Sequence, residues 1–253
     1  MIDQYINKII NADCLDILRT LPDKCIDLVL TDPPYGTTNC KWDSVVSFDN
    51  LWRELKRVRK DNCAILIFGQ EPFSSYLRLS NIAEYKYDWK YQKVLPTGYL
   101  NAKKQPMRCY EDVCVFYGKQ PVYNPQKTTG HKNKKTHSVY SKENDGSRVY
   151  GKEKRDIYYN SSERYPVDIQ VFNNGVQKDK IHPTQKPVSL FEYLILTYSN
   201  ENDIVLDCFS GSGTMAVACH NLHRRFICIE KDPEYWQASV ERLENVQRQL
   251  LLF

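Results

Sequence analysis

Two consecutive prolines, Pro33 and Pro34, come shortly after the apolar run Ile26–Leu30. The run is short, continuous and bounded by turn formers, which predicts a buried strand. Proline has no N–H to donate to a sheet ladder and its φ is fixed, so the strand must end there and the chain leaves it stiffly. Open α/β sheets bind ligands at the carboxyl ends of their strands. We therefore expect Asp32, the Pro33 carbonyl and the Tyr35 ring to be held at that edge.

A glycine-rich stretch far along the chain argues against the simplest interpretation of Asp32, a turn aspartate that only hydrogen-bonds a nearby amide. The apolar run Ile204–Asp207 precedes Phe209–Gly213, which predicts strand, turn and helix. Glycines there let the backbone approach a ligand at a helix N-terminus. The next apolar run ends in Glu230, and a separation of roughly 20 residues suits an acid that accepts hydrogen bonds from ribose hydroxyls. Taken alone, Glu230 also fits a helix cap or a surface carboxylate.

Length and composition bound the class of protein. The 253 residues suit one large α/β domain, or a core with a smaller insert, and short apolar runs, the first at 5–12, predict strands between helices. The net charge of +4 is compatible with a polyanionic partner without requiring one. The nine cysteines form no C-x-x-C pair and the histidines no cluster, which disfavours a metal site. Without a signal peptide or a bilayer-length apolar run, the sequence predicts a reduced, cytoplasmic protein.

The motifs and their order resemble the β-class of S-adenosylmethionine-dependent DNA amino-methyltransferases, in which the catalytic half precedes the cofactor half. The family's catalytic tetrapeptide, (Asp/Asn/Ser)-Pro-Pro-(Tyr/Phe), is matched by Asp32–Tyr35. Its Phe-x-Gly-x-Gly cofactor turn is matched by Phe209–Gly213, and the acid that closes the next strand by Glu230. The preceding Thr-x-Lys-Pro stretch is matched by Thr184–Pro187. Each motif is short, but their joint order and spacing are specific.

The resemblance implies a Rossmann-like α/β fold with a mostly parallel central sheet, helices on both faces and permuted motif order. It implies a catalytic half at 1–117, a target-recognition insert at 118–181 and a cofactor-binding half at 182–253. It also implies S-adenosylmethionine as cofactor, double-stranded DNA as partner, and as further expected partners a second copy of the chain and a separately acting restriction endonuclease.

The resemblance also assigns residues to roles. The catalytic residues that it implies are Asp32, Pro33, Pro34 and Tyr35. The implied cofactor-binding residues are Asp13, Thr184, Lys186, Asp207, Phe209, Ser210, Gly211, Gly213, Thr214 and Glu230. Asp13 is expected at the adenine amine of the cofactor, although Ala12 stands where many members have glycine.

The segment 118–181 differs in composition from the rest of the chain. Apolar periodicity stops there, and Lys, Asn, Ser, Tyr and Gly dominate. Composition alone would allow a disordered linker or a solvated loop. The many tyrosines favour a segment that folds or orders against a partner, and its basic residues suit DNA phosphates. The residues that we assign to DNA contact, in this segment and before it, are Lys103, Lys104, Arg108, Lys132, Lys134 and Lys135.

The tetrapeptide has a chemical rationale that is independent of the family. An exocyclic amine on a nucleobase is a poor nucleophile because its lone pair is delocalised into the ring. The Asp32 carboxylate and the Pro33 carbonyl could accept both amine hydrogens and leave the lone pair aimed at a methyl donor. Stacking of the base on Tyr35 would contribute ~1–3 kcal/mol. The base must leave the duplex for this to happen.

The target base is predicted from the first residue of the tetrapeptide. Aspartate there, at Asp32, resembles adenine-N6 enzymes more than cytosine-N4 enzymes, so we predict adenine-N6 methylation. Cytosine-N4 methylation remains an alternative, as does a DNA-binding subunit that holds the cofactor without turnover. A nicotinamide-dependent oxidoreductase is disfavoured because the glycine stretch is not the G-x-G-x-x-G fingerprint.

Overall fold

The computed structural model describes residues 2–36, 46–140, 155–174, 181 and 185–250. The expected cofactor residue Thr184 lies outside these ranges. The chain divides into two compact units, the first made of the residues up to 124 and from 168 onward, the second of residues 125–167.

A central sheet of eight strands organises the first unit. Its strands are β1 (Lys8–Asn11), β2 (Ile26–Thr31), β3 (Arg59–Gly69), β4 (Tyr85–Thr97), β5 (Arg108–Phe116), β8 (Ile169–Phe172), β9 (Ile204–Asp207) and β10 (Arg225–Glu230), and the second unit contributes β6 (Lys134–Tyr140) and β7 (Arg155–Ser161). The order across the sheet is β1-β10-β9-β2-β3-β5-β4-β8. Strand β5 is antiparallel to both neighbours, and the other neighbouring pairs are parallel. The predicted mostly parallel, Rossmann-like sheet is confirmed.

Helices cover both faces of this sheet. They are α1 (Cys14–Thr20), α2 (Phe48–Val58), α3 (Phe73–Ser80), α4 (Val188–Tyr198), α5 (Thr214–Asn221) and α6 (Pro233–Leu250). Successive strand residues point to opposite faces, so Leu28 and Leu30 join the apolar cluster with α4–α6, and Val29 joins the cluster with α1–α3. The alternation of apolar strands and amphipathic helices in the sequence therefore builds two cores.

Two strands differ from the sequence prediction. The strand expected at 5–12 is confined to β1, because Asn7 has a φ of +57° that interrupts extended backbone. Strand β8 lies within the polar segment 118–181 and pairs with β4 at the edge of the sheet. Ile169 and Val171 of β8 are 50% and 59% exposed, so the burial that makes a strand recognisable in sequence is missing there.

The chain order creates a crevice between β2 and β9. From β9 the chain crosses through α5 to β10 on one side, and from β2 it crosses through α2 to β3 on the other. The two strands pair only at Leu28↔Val205 and Val29↔Leu206, and they separate toward their carboxyl ends. Ligands of open α/β sheets bind at such a switch point. The two predicted motifs, after β2 and after β9, flank it.

The hydroxyl of Thr31 joins the two strand ends where the ladder stops. It donates to Asp207 Oδ1 at 2.7 Å and accepts the backbone N–H of Cys208 at 3.1 Å. All three residues are buried. One side chain therefore connects the end of β2 to the start of the glycine turn.

The second unit contains an antiparallel ladder of β6 and β7, with register from Lys134↔Ser161 to Tyr140↔Arg155. The Arg164 guanidinium donates to the Lys132 carbonyl at 2.7 Å, next to the ladder. The tyrosine-rich segment therefore contains a folded hairpin. Its predicted functional bounds, 118–181, stay a prediction.

Replacing Thr31 with valine tests the connection between the strand ends. Thr31→Val keeps the shape but leaves the Cys208 N–H without its acceptor and removes one of the two donors to Asp207, so unfolding free energy should fall by roughly 1–3 kcal/mol. Denaturant unfolding measures this. Thr31→Ser, which keeps the hydroxyl, is the control and should lose less. A valine variant as stable as wild type would show that the hydroxyl does not hold the strands together.

Candidate active site

The glycine turn after β9 has a backbone that requires glycine. Gly213 has a φ of +70°, and a Cβ at this position would lie 3.0 Å from the Ser239 Cβ. The turn is closed by the Gly213 N–H, which donates to the Ser210 carbonyl at 2.9 Å, and it is tied to β10 by the Ser210 N–H, which donates to the Ile229 carbonyl at 2.9 Å. This fixed backbone leads into α5 at the buried Thr214.

Glu230 lies against this turn. Its Oε2 accepts the Gly211 N–H at 2.7 Å and its Oε1 accepts the Asp232 N–H at 2.8 Å. Burial raises the pKa of the carboxyl, and the main-chain hydrogen bonds oppose that rise. Carboxylate oxygens have further lone pairs, so Glu230 can still accept hydrogen bonds from a ligand. The sequence prediction that this acid and the glycine turn meet agrees with their position here.

Asp13 lies on the neighbouring strand end. Strand β1 pairs with β10 up to Asn11↔Glu230, so Asp13 lies at the same carboxyl edge as Glu230. Its Oδ1 caps α1 by accepting the Leu15 N–H at 3.0 Å, and its Oδ2 lies 3.0 Å from the Lys231 ammonium. The local cap explains the geometry of Asp13, and among the described residues its second oxygen contacts the exposed Lys231.

Asp207 is fully enclosed at the end of β9. It accepts the Thr31 hydroxyl and also the Phe209 N–H, the latter at 3.1 Å. Burial raises the pKa of this carboxyl from 3.8 to about 7, against the lowering effect of those hydrogen bonds. Phe209 itself is half-buried and packs on the core that includes α1.

The tetrapeptide Asp32–Tyr35, predicted to be catalytic, follows β2 at the switch point between β2 and β9. Pro33 is buried, and Asp32, Pro34 and Tyr35 are half-buried. The Tyr35 hydroxyl donates to Asp32 Oδ1 at 2.5 Å, and the Tyr35 ring lies 5.0 Å from that of Phe73. Burial and the adjacent Asp32 carboxylate raise the pKa of Tyr35 well above its usual value, so its hydroxyl keeps its proton.

Lys186 connects the stretch before α4 to the tetrapeptide. Its backbone carbonyl is 3.5 Å from the Thr214 hydroxyl, but its ammonium donates to Asp32 Oδ2. The ammonium also lies 3.2 Å from Glu111 Oε2 and 4.8 Å from the centroid of the Phe68 ring. Burial lowers the pKa of Lys186, but the attraction of Asp32 and Glu111 is stronger and raises it overall. The lysine is therefore a permanent cation inside the site.

Glu111, Lys93 and Thr31 were not among the residues predicted from sequence. Lys93 Nζ lies 2.5 Å from Glu111 Oε1, so Glu111 stands between two ammonium groups. A charged residue that interrupts the apolar pattern of a strand is a weak signal for such a position. The partners of that charge come from other elements, and no local pattern indicates them.

The basic residues expected to contact DNA fall into two groups. Lys103 and Lys104 are exposed in the connection from β4 to β5, and the exposed Arg108, the first residue of β5, donates to Gln70 Oε1 at 2.6 Å. The other group, in the second unit, comprises the exposed residues Lys132, Lys134 and Lys135. No His, Cys, Asp or Glu cluster suited to a metal occurs among the described residues, and none of the described helices is long and apolar enough to span a membrane.

Comparison with known proteins identifies the family. A family model described as DNA methylase matches residues 26–241. The chain belongs to this family. The Type II methyltransferase M.HpaI of Haemophilus parainfluenzae is 31% identical over 94% of this chain and 74% of its own length. For M.HinfI of Haemophilus influenzae the identity is 28%, over 97% of this chain and 70% of the relative.

Solved structures show the same fold. The M1.HpyAVI–SAM complex is 25% identical, with a TM-score of 0.62 over 93% of this chain and 98% of its own. The cytosine-N4-specific PvuII DNA methyltransferase, at 17% identity, has a TM-score of 0.64 over 95% of this chain and 91% of its own. The predictions of a β-class DNA methyltransferase and a Rossmann-like fold are confirmed.

The pKa of Asp207 makes the stability of this methyltransferase dependent on pH. The folded protein binds the Asp207 proton more tightly than the unfolded chain, so protonation of this carboxyl stabilises the fold. This contribution to the free energy of unfolding is complete below pH 4 and is lost as pH rises through about 7. Asp207→Asn cannot titrate. The stability of wild type relative to this variant should fall between pH 4 and 7, by at most roughly 4 kcal/mol. Parallel stability curves from denaturant unfolding would contradict a protonated Asp207.

Proposed function

We propose that this chain is a site-specific DNA adenine-N6 methyltransferase, which transfers a methyl group from S-adenosylmethionine to an adenine flipped out of duplex DNA. The observation that carries the proposal is the junction at Thr31. Its hydrogen bond to Asp207 brings the tetrapeptide of Asp32 next to the Phe209–Gly213 turn, although 176 residues separate the two bonded side chains. The proposed amine acceptor, Asp32, and the proposed cofactor turn, Phe209–Gly213, therefore lie at the same switch point of the sheet.

S-adenosylmethionine is the cofactor, and the donor set at the turn fits it. Glu230 suits the ribose hydroxyls and Asp13 suits the adenine amine, since carboxylate oxygens accept hydrogen bonds from such groups. When bound, the cofactor supplies an electrophilic methyl group. The residues proposed to form its site are Asp13, Thr184, Lys186, Asp207, Phe209, Ser210, Gly211, Gly213, Thr214 and Glu230.

Asp32 and Pro33 prepare the amine for attack. One amine hydrogen would be donated to the Asp32 carboxylate and the other to the Pro33 carbonyl, which leaves the nitrogen lone pair outside the ring plane. Both acceptors are held by stiff backbone, so little reorganisation is needed during the reaction. The proton that the methylated nitrogen loses passes to the Asp32 carboxylate and from there to water.

Tyr35 would hold the target base. Phe73 packs against its ring and the Asp32 bond fixes its hydroxyl, so the ring cannot turn freely. A base that stacks on the Tyr35 ring would gain ~1–3 kcal/mol. Flipping is required because the amine of a paired base cannot reach the carboxylate.

The choice of adenine is supported by aspartate at the first position of the tetrapeptide. The cytosine-N4 enzyme PvuII shares the fold, so cytosine-N4 methylation is the second candidate. The relatives are named Type II methyltransferases. We extend this role to the present chain and propose that it methylates one DNA sequence in the cytoplasm. A separate restriction endonuclease would act at the same sequence.

Nucleoside mass spectrometry tests activity and base together. Wild type incubated with labelled cofactor and unmethylated plasmid DNA should produce N6-methyladenine, and Asp32→Ala should lower kcat by roughly 10²–10³-fold because it removes the charged acceptor. Asp27→Ala is a matched control, since Asp27 lies in the same strand but pairs with Lys60 outside the site. N4-methylcytosine would assign the enzyme to cytosine, and no labelled product would indicate a non-catalytic subunit.

The exposed lysines of the second unit should determine part of the salt dependence of DNA binding. Replacing Lys132, Lys134 and Lys135 together with alanine should reduce the slope of log K against log salt by up to about 3, since each lost phosphate contact contributes ~0.9. Lys8→Ala is the control, because Lys8 lies at the amino end of β1, away from the carboxyl edge. Equal slopes for wild type and the triple variant would remove these lysines from the DNA surface.

A further inference from the structure

Five side chains form one continuous polar chain through the site: Tyr35, Asp32, Lys186, Glu111 and Lys93. The Tyr35 hydroxyl and the Lys186 ammonium take one Asp32 oxygen each. Glu111 in turn has the Lys186 ammonium 3.2 Å from Oε2 and the Lys93 ammonium 2.5 Å from Oε1. The side chains of Lys186, Glu111 and Lys93 are only 7%, 12% and 9% exposed. Two carboxylates and two ammonium groups thus balance inside the protein.

The β4–β5 hairpin supplies the outer half of this chain. Tyr91 pairs with Glu111 across the two strands, and Lys93, two residues along β4, points to the same face as Tyr91. Diagonal neighbours on one face of a sheet are within reach of long side chains. Glu111 and Lys93 are thereby placed from the sheet side, while Lys186 approaches from the stretch before α4.

Both carboxylate oxygens of Asp32, the proposed acceptor of the target amine, already accept a hydrogen bond within the protein. The target amine must donate a hydrogen bond to this carboxylate, yet Oδ2 is bound by the Lys186 ammonium and Oδ1 by Tyr35. An ammonium is a stronger donor than a neutral amine. Each carboxylate oxygen has a further lone pair, so the amine can bind beside these donors, and it binds more strongly once the ammonium has moved to another anion.

Glu111 offers that second acceptor. Its Oε2 is buried and receives no hydrogen bond of good geometry from the described residues, although the Lys186 ammonium is only 3.2 Å away. A small rotation of the lysine side chain would exchange one carboxylate for the other. The Lys186 ammonium lies 4.8 Å from the centroid of the Phe68 ring, so a cation–π contact is available to it beside both carboxylates.

We propose that Lys186 exchanges partners during the reaction, bound to Asp32 in the resting enzyme and to Glu111 when the target amine arrives, so that Glu111 is a positioning residue for DNA methylation. The exchange moves no proton and changes no net charge. Lys93 keeps Glu111 anionic and oriented. The inference rests on the proposed role of Asp32, and it concerns either target base.

Glu111→Gln tests the exchange because it keeps the shape and removes the charge. Lys186 then has a single anion, stays on Asp32 and competes with the amine. We expect single-turnover methyl transfer to plasmid DNA, at saturating cofactor and DNA, to slow roughly tenfold or more, since a neutral acceptor holds an ammonium less well. Affinities for DNA and cofactor should stay as in wild type. Should this variant fail to fold, Glu111→Asp keeps the charge but shortens the side chain, and it should also be slow.

Asp112→Asn is the matched control for a purely structural effect. Asp112 is the next residue of β5, points to the opposite face, is buried, and has the Lys90 ammonium 2.5 Å from Oδ1. Its replacement weakens the ion pairs that this buried carboxylate makes with Lys90 and Arg78 outside the site. We expect it to lower the melting temperature without slowing methyl transfer.

A second substitution distinguishes competition from loss of structure. In the Glu111→Gln background, Lys186→Met removes the competing ammonium, so methyl transfer should be faster than in Glu111→Gln alone. A double variant that is equally slow or slower overturns the exchange, as does a wild-type rate for Glu111→Gln. A wild-type protein that transfers no methyl group would instead overturn the proposed function, and the exchange with it.

Discussion

The hydrogen bond from the Thr31 hydroxyl to Asp207 is the interaction on which the site depends. It lies where β2 and β9 stop pairing, and the same hydroxyl accepts the Cys208 N–H. Without it, the buried Cys208 N–H would lose its acceptor and Asp207 one of its two donors. With it, the end of β2 and the start of the glycine turn are held together, which places the proposed catalytic and cofactor motifs side by side.

The two aspartates beside that junction, Asp207 and Asp32, differ in their charged neighbours. Asp207 forms no ion pair with the residues that the structure describes, and burial raises the pKa of its carboxyl, whereas Asp32 binds the Lys186 ammonium. The difference suits the proposed roles, because Asp32 must remain an anionic acceptor while Asp207 holds the strand ends together. Removing one member of a buried ion pair leaves the other uncompensated, which makes such a site sensitive to single substitutions.

Much of the fold and half of the site could be predicted from the sequence. The Pro33-Pro34 dipeptide and the Gly211 and Gly213 turn carry local information, because each restricts the backbone by itself, and both lie where expected. Glu111 could not be predicted, since its role comes from Lys93 across the hairpin and from an ammonium of a distant segment. Strand β8 was missed because its apolar side chains stay exposed, so tertiary pairing and not burial determines it.

A structure of the protein with a cofactor analogue and cognate duplex DNA is the most direct test of the central claim, that Asp32 at this junction accepts the target amine. The account predicts a flipped base with its amine nitrogen about 3 Å from an Asp32 carboxylate oxygen, and the Lys186 ammonium moved to Glu111. A base amine held by other groups, with Lys186 still bound to Asp32, would contradict it.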